Sequence, residues 1–319
     1  MSFQHQDTSC EGPVRASLHR SDTSVTLCTP PHSHKKTDNV SIDYDEWLQY
    51  PKIDMHCHVW NMATEAEERA STEQLITAGT MLGISEYWCS APITGGVIAD
   101  IEDIRIRNDS VLRAVQRYPD RIRGMCFVIP GQYQVALDEV KRCLDAGMIG
   151  LKLYNQYKID DPAVYPVIEL AIERRVPILE HAGFIEAREH LDRQPLISNG
   201  RHFANLNEHY PEAMLIHAHI GGGGDWEQSI RWMRDTSEHL YCDVSGSNLD
   251  DGQVEQAVQD MGAERVLFGT DGTMCGSVGK VIDATLTDEA KRSIFFGNAE
   301  AILAAQGTTP LHAAEKVAV

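Results

Sequence analysis

Pro51-Lys52-Ile53-Asp54-Met55-His56-Cys57-His58 is an apolar run that ends in two histidines two residues apart. On a β-strand, side chains two apart leave by the same face. Both imidazoles can then reach one metal ion, and imidazole is the commonest metal ligand among side chains. Alone, a His-x-His says little. Here it opens a series, because later strand-like runs end in His181, in His217 and His219, and in Asp271. A metal site assembled from the ends of several strands is what a (β/α)8 barrel offers on its C-terminal face.

The rest of the chain fits that frame. Short apolar, β-branched runs bounded by Gly or Pro recur at residues 52–58, 84–91, 123–129, 149–154, 177–181, 214–220, 240–244 and 265–270, as expected of strands buried on both faces. Helical spacing fills the intervals at 109–118, 135–146, 163–174, 226–236, 252–261 and 288–296. Eight strand–helix repeats predict an α/β fold, a (β/α)8 TIM barrel. A doubly wound open sheet is the alternative, and it lacks a Gly-rich dinucleotide fingerprint after the first strand. Residues 64–79 and 184–211 read as insertions on the C-terminal face, where loops make substrate pockets. The second carries Arg188, His190, Arg193, Arg201, His202 and His209, whose plainer role is to solvate a helical excursion.

Composition sets the bounds. Residues 1–46 are rich in Ser, Thr, His, Asp and Pro without periodicity and are expected to form a disordered or loosely packed arm, with one domain over 47–319. Lys plus Arg number 28 against 47 Asp plus Glu, a formal charge of −19. That argues against nucleic acid and anionic membrane surfaces as partners and says nothing specific about the substrate. No apolar run has the length to span a bilayer. The first residues carry neither a basic nor an apolar signal region, and the eight cysteines are scattered, with no C-x-x-C pair. A cytoplasmic protein with reduced, buried thiols is expected. Large α/β enzymes often form symmetric dimers, so a homodimer is compatible.

Several pieces, in this order, resemble the amidohydrolase superfamily, specifically the amidohydrolase-related branch that also contains metal-dependent decarboxylases. They are Ile53-Asp54-Met55-His56-Cys57-His58-Val59-Trp60, Gly150-Leu151-Lys152-Leu153-Tyr154, Pro177-Ile178-Leu179-Glu180-His181-Ala182-Gly183 and Leu215-Ile216-His217-Ala218-His219-Ile220-Gly221-Gly222. Tyr241-Cys242-Asp243-Val244-Ser245-Gly246, Arg265-Val266-Leu267-Phe268-Gly269-Thr270-Asp271 and Gly297-Asn298-Ala299 complete the set, which spans about residues 50–305. The resemblance implies that His56, His58, His181 and Asp271 bind a divalent metal, with His219 a catalytic or supporting histidine. Three imidazoles and a carboxylate suit one Zn²⁺, with Mn²⁺ as the other candidate. Asp271 would take a proton from water and His219 would hold or polarise a substrate oxygen. The implied activity is a metal-dependent hydrolase that activates water against a small-molecule ester, lactone or amide. The alternatives are a non-oxidative decarboxylase on the same scaffold and a non-catalytic metal-binding protein.

Each residue also has a plainer reading. His56 and His58 could be satisfied core histidines, and Asp271 a turn cap. His217 is expected to share the face of His219 one pleat deeper, as a packed residue. Cys57 and Glu180 are expected to face the helices, and Asp54 to share the face of His56 and His58 but lie below them and support a ligand. Lys152 could be carboxylated and bridge a second metal, lie too deep to reach the pocket, or face the substrate as a cation; a one-metal site is preferred, with Lys152 kept as a candidate substrate-binding residue. Tyr154, Trp60 and Phe184 are expected to line the pocket beside it, although large rings also dominate cores. The four glycines at 221–224 are read as letting a loop pass close to the metal.

Overall fold

The computed structural model describes residues 42–183, 192–220, 226–246 and 248–311. Phe184, Arg188, His190, the glycines at 221–224 and all but the last few residues of the expected arm lie outside them. Eight strands follow in chain order: β1 (Lys52–His58), β2 (Ile84–Ser90), β3 (Ile122–Phe127), β4 (Gly150–Leu153), β5 (Ile178–Glu180), β6 (Leu215–His217), β7 (Leu240–Asp243) and β8 (Val266–Leu267). Each pairs in parallel with the next. Backbone bonds from Met55 N–H to Phe268 O and from Asp271 N–H to His56 O bring the chain around β8 against β1. The eight expected strands are the eight observed, and they form a (β/α)8 barrel.

The helices are α1 (Tyr44–Gln49), α2 (Glu65–Thr80), α3 (Ile101–Arg117), α4 (Gln134–Asp145), α5 (Tyr165–Arg174), α6 (Gly200–His209), α7 (Trp226–Met233), α8 (Gln253–Met261), α9 (Met274–Asp283), α10 (Asp288–Arg292) and α11 (Asn298–Ala305). Helix α1 straddles the boundary expected at residue 46. Local chemistry sets many of their ends. Thr64 and Glu67 form a reciprocal capping box that starts α2, and Asp100 caps α3, which begins eight residues before the expected start. The second insertion contains α6, which Asn199 and His202 cap together. Gly200 lets α6 approach α7, since a Cβ there would stand 2.4 Å from Ser229 O. Among the described residues no helix is long and apolar enough to cross a membrane.

Strand alternation divides the core into two layers. Cys57, Tyr87, Cys89, Cys126, Leu151, Ile178, Leu215 and Cys242 face outward, in one cluster with apolar residues of the helices. Ile53, Met55, Trp88, Met125, Leu179, Ile216 and Leu267 fill the inner layer with Ile302 and Leu303 of α11. Each such side chain contributes roughly 1.5–3 kcal/mol by leaving water. The described cysteines are free, and all but Cys275 are buried.

Two departures from strict alternation shape the functional end. A register shift between Asp54 and Cys57 puts Asp54 opposite Tyr87 and bonds it to Cys57 Sγ and Thr270 Oγ1. Asp54 is therefore not on the face of His56 and His58. A bulge turns alternation through one extra residue, so sequence spacing of two no longer means a shared face. Asp54 nonetheless accepts the backbone N–H groups of His56 and Thr270 and so ties the two strand ends together. The second departure is at His219, with φ of +63°. Its left-handed backbone turns it inward, whereas His217 packs outward on Phe203 of α6. The two do not share a face as expected.

Away from the site, wholly buried Asn108 of α3 donates to Phe127 O and Glu139 Oε1 and accepts from Phe127 N–H. Asn108→Ala is expected to cost roughly 2–4 kcal/mol, because the buried Phe127 peptide groups lose a partner and the Glu139 carboxylate loses one of its donors. A urea melt measures it, and a loss near zero would mean these bonds do not anchor α3.

Candidate functional site

The ends of β1, β4, β5, β6, β7 and β8 converge on one cluster. From β1, His56 is buried and His58 nearly so. Asp271, four residues past β8, sits with Oδ1 2.8 Å from His58 Nε2 and 3.8 Å from His56 Nε2. One ligand atom from each of these three residues lies within 4.8 Å of the others. His219 Nε2 is 3.6 Å from Asp271 Oδ2 and 3.0 Å from His181 Nδ1. The five residues singled out from sequence as ligands or catalytic groups are thus brought together. Asp271, like His219, has a left-handed backbone, with φ of +44°. Non-glycine residues in that region cluster at functional sites, where the surrounding structure holds the strain.

Each imidazole is oriented by a partner on its far side. His56 Nδ1 is 2.8 Å from Asp243 Oδ2. His58 Nδ1 faces Ser90 O at 3.2 Å, and His181 Nε2 faces Gln194 Oε1 at 3.0 Å. His219 Nδ1 is 2.8 Å from Ser245 Oγ. Gln194 Oε1 also accepts from Asn155 Nδ2, so it is an acceptor and His181 Nε2 carries the proton. This leaves Nε2 of His56 and Nδ1 of His181 as lone pairs aimed inward. Sequence reading assigned no role to Asp243, Ser245, Gln194 or Ser90. The visible signal was the Asp-x-Ser spacing at the end of β7, which puts both groups on one face.

Electrostatics follow from burial. Burial pushes the His181 imidazole down to about 3, aided by the nearby Lys152 amine. Burial and the His56 and His181 rings hold His219 well below the ordinary range, and burial lowers His58 too. Burial also acts on Asp271, but the bond from His58 and the field of His56 and His219 outweigh it, so the carboxylate stays ionised. Imidazoles held toward the neutral form at His58, His181 and His219, beside an ionised carboxylate, are donors suited to a divalent cation. Donor atoms of His56, His58 and Asp271 lie within 4.8 Å of one another, close enough for one ion to draw together, and His181 adjoins them through His219 at 3.0 Å. The residues fit the group.

Lys152, on β4, is wholly buried, and its Nζ is 2.9 Å from His56 Nε2. It is not too deep to reach the cluster. Burial lowers its pKa to about 8. Above lies a cavity of about 300 Å³ lined by His58, Trp60, Leu75, Tyr154, His181 and Asp271 among others. Tyr154 stacks on His181 with ring centroids 4.1 Å apart, and partly exposed Trp60 lies 5.0 Å from His58. Glu180 points away, accepting from Ser198 Oγ. A larger groove, about 490 Å³, runs between the residues after β7 and helix α9, but no histidine lines it.

The amidohydrolase family model matches residues 53–304. No curated protein sequence matches significantly. Solved structures of similar fold include a dihydroxybenzoic acid decarboxylase from Polaromonas with bound manganese and 2-nitroresorcinol, at TM-score 0.61 and 16% identity over 80% of this chain and 97% of that one. A 2,6-dihydroxybenzoate decarboxylase from Rhizobium matches at 0.63 and 16%, over 80% and 99%. A 4-oxalomesaconate hydratase from Rhodopseudomonas palustris matches at 0.61 and 17%, over 80% and 96%. These likenesses are likenesses of fold. The family match covers most of the chain and every strand end that carries the cluster, and the chain belongs to the amidohydrolase family.

Proposed function

We propose that this amidohydrolase holds one divalent cation, Zn²⁺ or Mn²⁺, on His56, His58, His181 and Asp271, and hydrolyses an ester, lactone or amide bond of a small molecule. The cation would supply Lewis acidity toward a substrate oxygen. The carrying observation is that Asp271 is an ionised acceptor 3.6 Å from His219 Nε2. Its place beside the cation's donors, rather than its basicity, suits Asp271 to take a proton from the attacking water and return it to the leaving group. Tyr154 and Trp60 shape the cavity for a flat or apolar substrate body. Phe184 is kept as a further wall residue.

Lys152 supports a second reading. The bond from its Nζ to His56 Nε2 and a metal on that nitrogen exclude each other. Lys152 gives up the bond when the site is filled, and its ammonium is free for a substrate carboxylate. Non-oxidative decarboxylation would use the same groups: the C–C bond breaks, CO₂ leaves, and the carbon keeps the electron pair and takes a proton. Two of the similar folds are named as decarboxylases. Product analysis separates the readings, since release of CO₂ from a carboxylic acid, with no cleavage of esters, lactones or amides, would replace hydrolysis with decarboxylation.

The second reading predicts a pH effect from Lys152. The amine is charged below about pH 8 and neutral above it. KM for an anionic substrate is expected to rise as pH climbs through 8, with kcat little changed. Lys152→Met should raise KM roughly 10–100-fold, the worth of one charged hydrogen bond, and flatten that pH profile. Initial rates from pH 6 to 9.5 test it, and an unchanged KM in the variant would remove Lys152 from substrate binding.

A further inference from the structure

We propose that Asp243 and Ser245 are positioning residues that fix the tautomers of His56 and His219, so that both rings turn an Nε2 lone pair toward the cavity. The inference deepens the metal-site reading and rests on it for its consequence, although the tautomers themselves do not depend on a metal.

Wholly buried Asp243 ends β7, between β6 and β8. Its Oδ2 meets His56 Nδ1 at 2.8 Å. Its Oδ1 accepts the backbone N–H of His219 at 3.0 Å, the backbone N–H of Ser245 at 2.8 Å, and the Ser245 hydroxyl. Every bond the carboxylate makes is as an acceptor, so the proton between it and His56 belongs to Nδ1.

Ser245 extends the same logic to His219. Its single proton goes to Asp243, so toward His219 Nδ1, 2.8 Å away, it can only accept. His219 therefore carries its proton on Nδ1. Lys280 of α9 pins this stretch from outside by donating to Val244 O at 3.0 Å and Gly246 O at 2.8 Å, the carbonyls on either side of Ser245. One carboxylate thus aims two imidazoles that arrive from different strands. A further contact shows how little room this leaves. A Cβ at Gly269 would stand 2.9 Å from His56 Cβ and 3.2 Å from Asp243 Cγ.

The result places three lone pairs in one region: Nε2 of His56, Nε2 of His219 and Nδ1 of His181. The last two face each other at 3.0 Å. Two acceptors that close are satisfied only by a shared proton or a cation. The orienting groups of metal-ligating histidines are typically worth tenfold to a hundredfold in metal affinity.

The decisive variant is Asp243→Asn. Asparagine keeps the shape and its oxygen can keep both backbone N–H bonds, but its NH₂ donates to His56 Nδ1. That inverts the His56 tautomer and puts a proton on the nitrogen that would face the metal. A merely structural Asp243 would tolerate asparagine. Long-range ¹H–¹⁵N spectra of the imidazole rings, recorded on metal-free and Zn²⁺-loaded protein, are expected to place the protons of His56 and His219 on Nδ1. Titration with Co²⁺ is expected to give roughly 10–100-fold weaker binding in Asp243→Asn than in the unmodified chain. A bare Nδ1 with Nε2–H on either ring, or wild-type Co²⁺ affinity in the folded variant, overturns the proposal. If the variant does not fold, the spectra of the unmodified protein decide alone. If the unmodified protein takes up no metal, the metal reading fails, while the ring spectra still decide the tautomers.

Discussion

Asp271→Asn is expected to lower kcat/KM by roughly 1,000-fold or more, with the fold intact. Asparagine removes the negative charge and one of the two acceptor oxygens. What remains toward His58, 2.8 Å away, is either a weaker acceptor or a donor facing the wrong way. No proton can then be taken from water, and the metal loses its only charged ligand. The backbone does not resist the change. Asp271 has φ of +44°, a region asparagine visits as readily as aspartate. The backbone bond from Asp271 N–H to His56 O is also kept. Steady-state kinetics beside a thermal melt check both halves. A loss below tenfold in a normally melting variant would mean that Asp271 is not the base.

Removing the metal is expected to abolish turnover, and returning it to restore turnover. A chelator should leave the inner layer of Ile53, Met55, Leu179 and Ile216 untouched, since none of these side chains touches the cluster's chemistry. Stability should nonetheless respond, because a ligand that binds only the folded state stabilises it. At a hundredfold excess over Kd the gain is about 2.7 kcal/mol. Added Zn²⁺ or Mn²⁺ should therefore raise the melting temperature of the unmodified protein. The same ions should leave a His56→Ala, His58→Ala double variant where it was. An equal rise in both would place the stabilising ion elsewhere, and full activity after exhaustive chelation would remove metal from the mechanism.

The strands were legible because each is a short apolar run closed by Gly, Pro or a polar turn, and parallel barrel strands need nothing more. The residues at their ends followed from the same reading. What could not be read depends on backbone events that leave no periodic trace. The shift between Asp54 and Cys57 moves Asp54 to the outer face, and the left-handed turn at His219 separates it from His217. The role proposed for Asp243 runs through His56, 187 residues away, and that of Ser245 through His219, 26 residues away on another strand, so both appear only once β1, β6 and β7 are placed in space. Helix α9, Met274–Asp283, escaped notice because its Gly276 and Gly279 weaken the helical pattern. Helix α11 continues from a π-turn at Ser293–Gly297 rather than from a capped start.

The most direct test of the account is the metal content of the chain, measured by elemental analysis on protein purified without added metal and again after reconstitution. One equivalent of zinc or manganese per chain is predicted, lost when His56 and His58 are both replaced by alanine. Two equivalents would contradict the one-metal site and point to a bridging, carboxylated Lys152. No metal in either preparation would contradict the account at its centre.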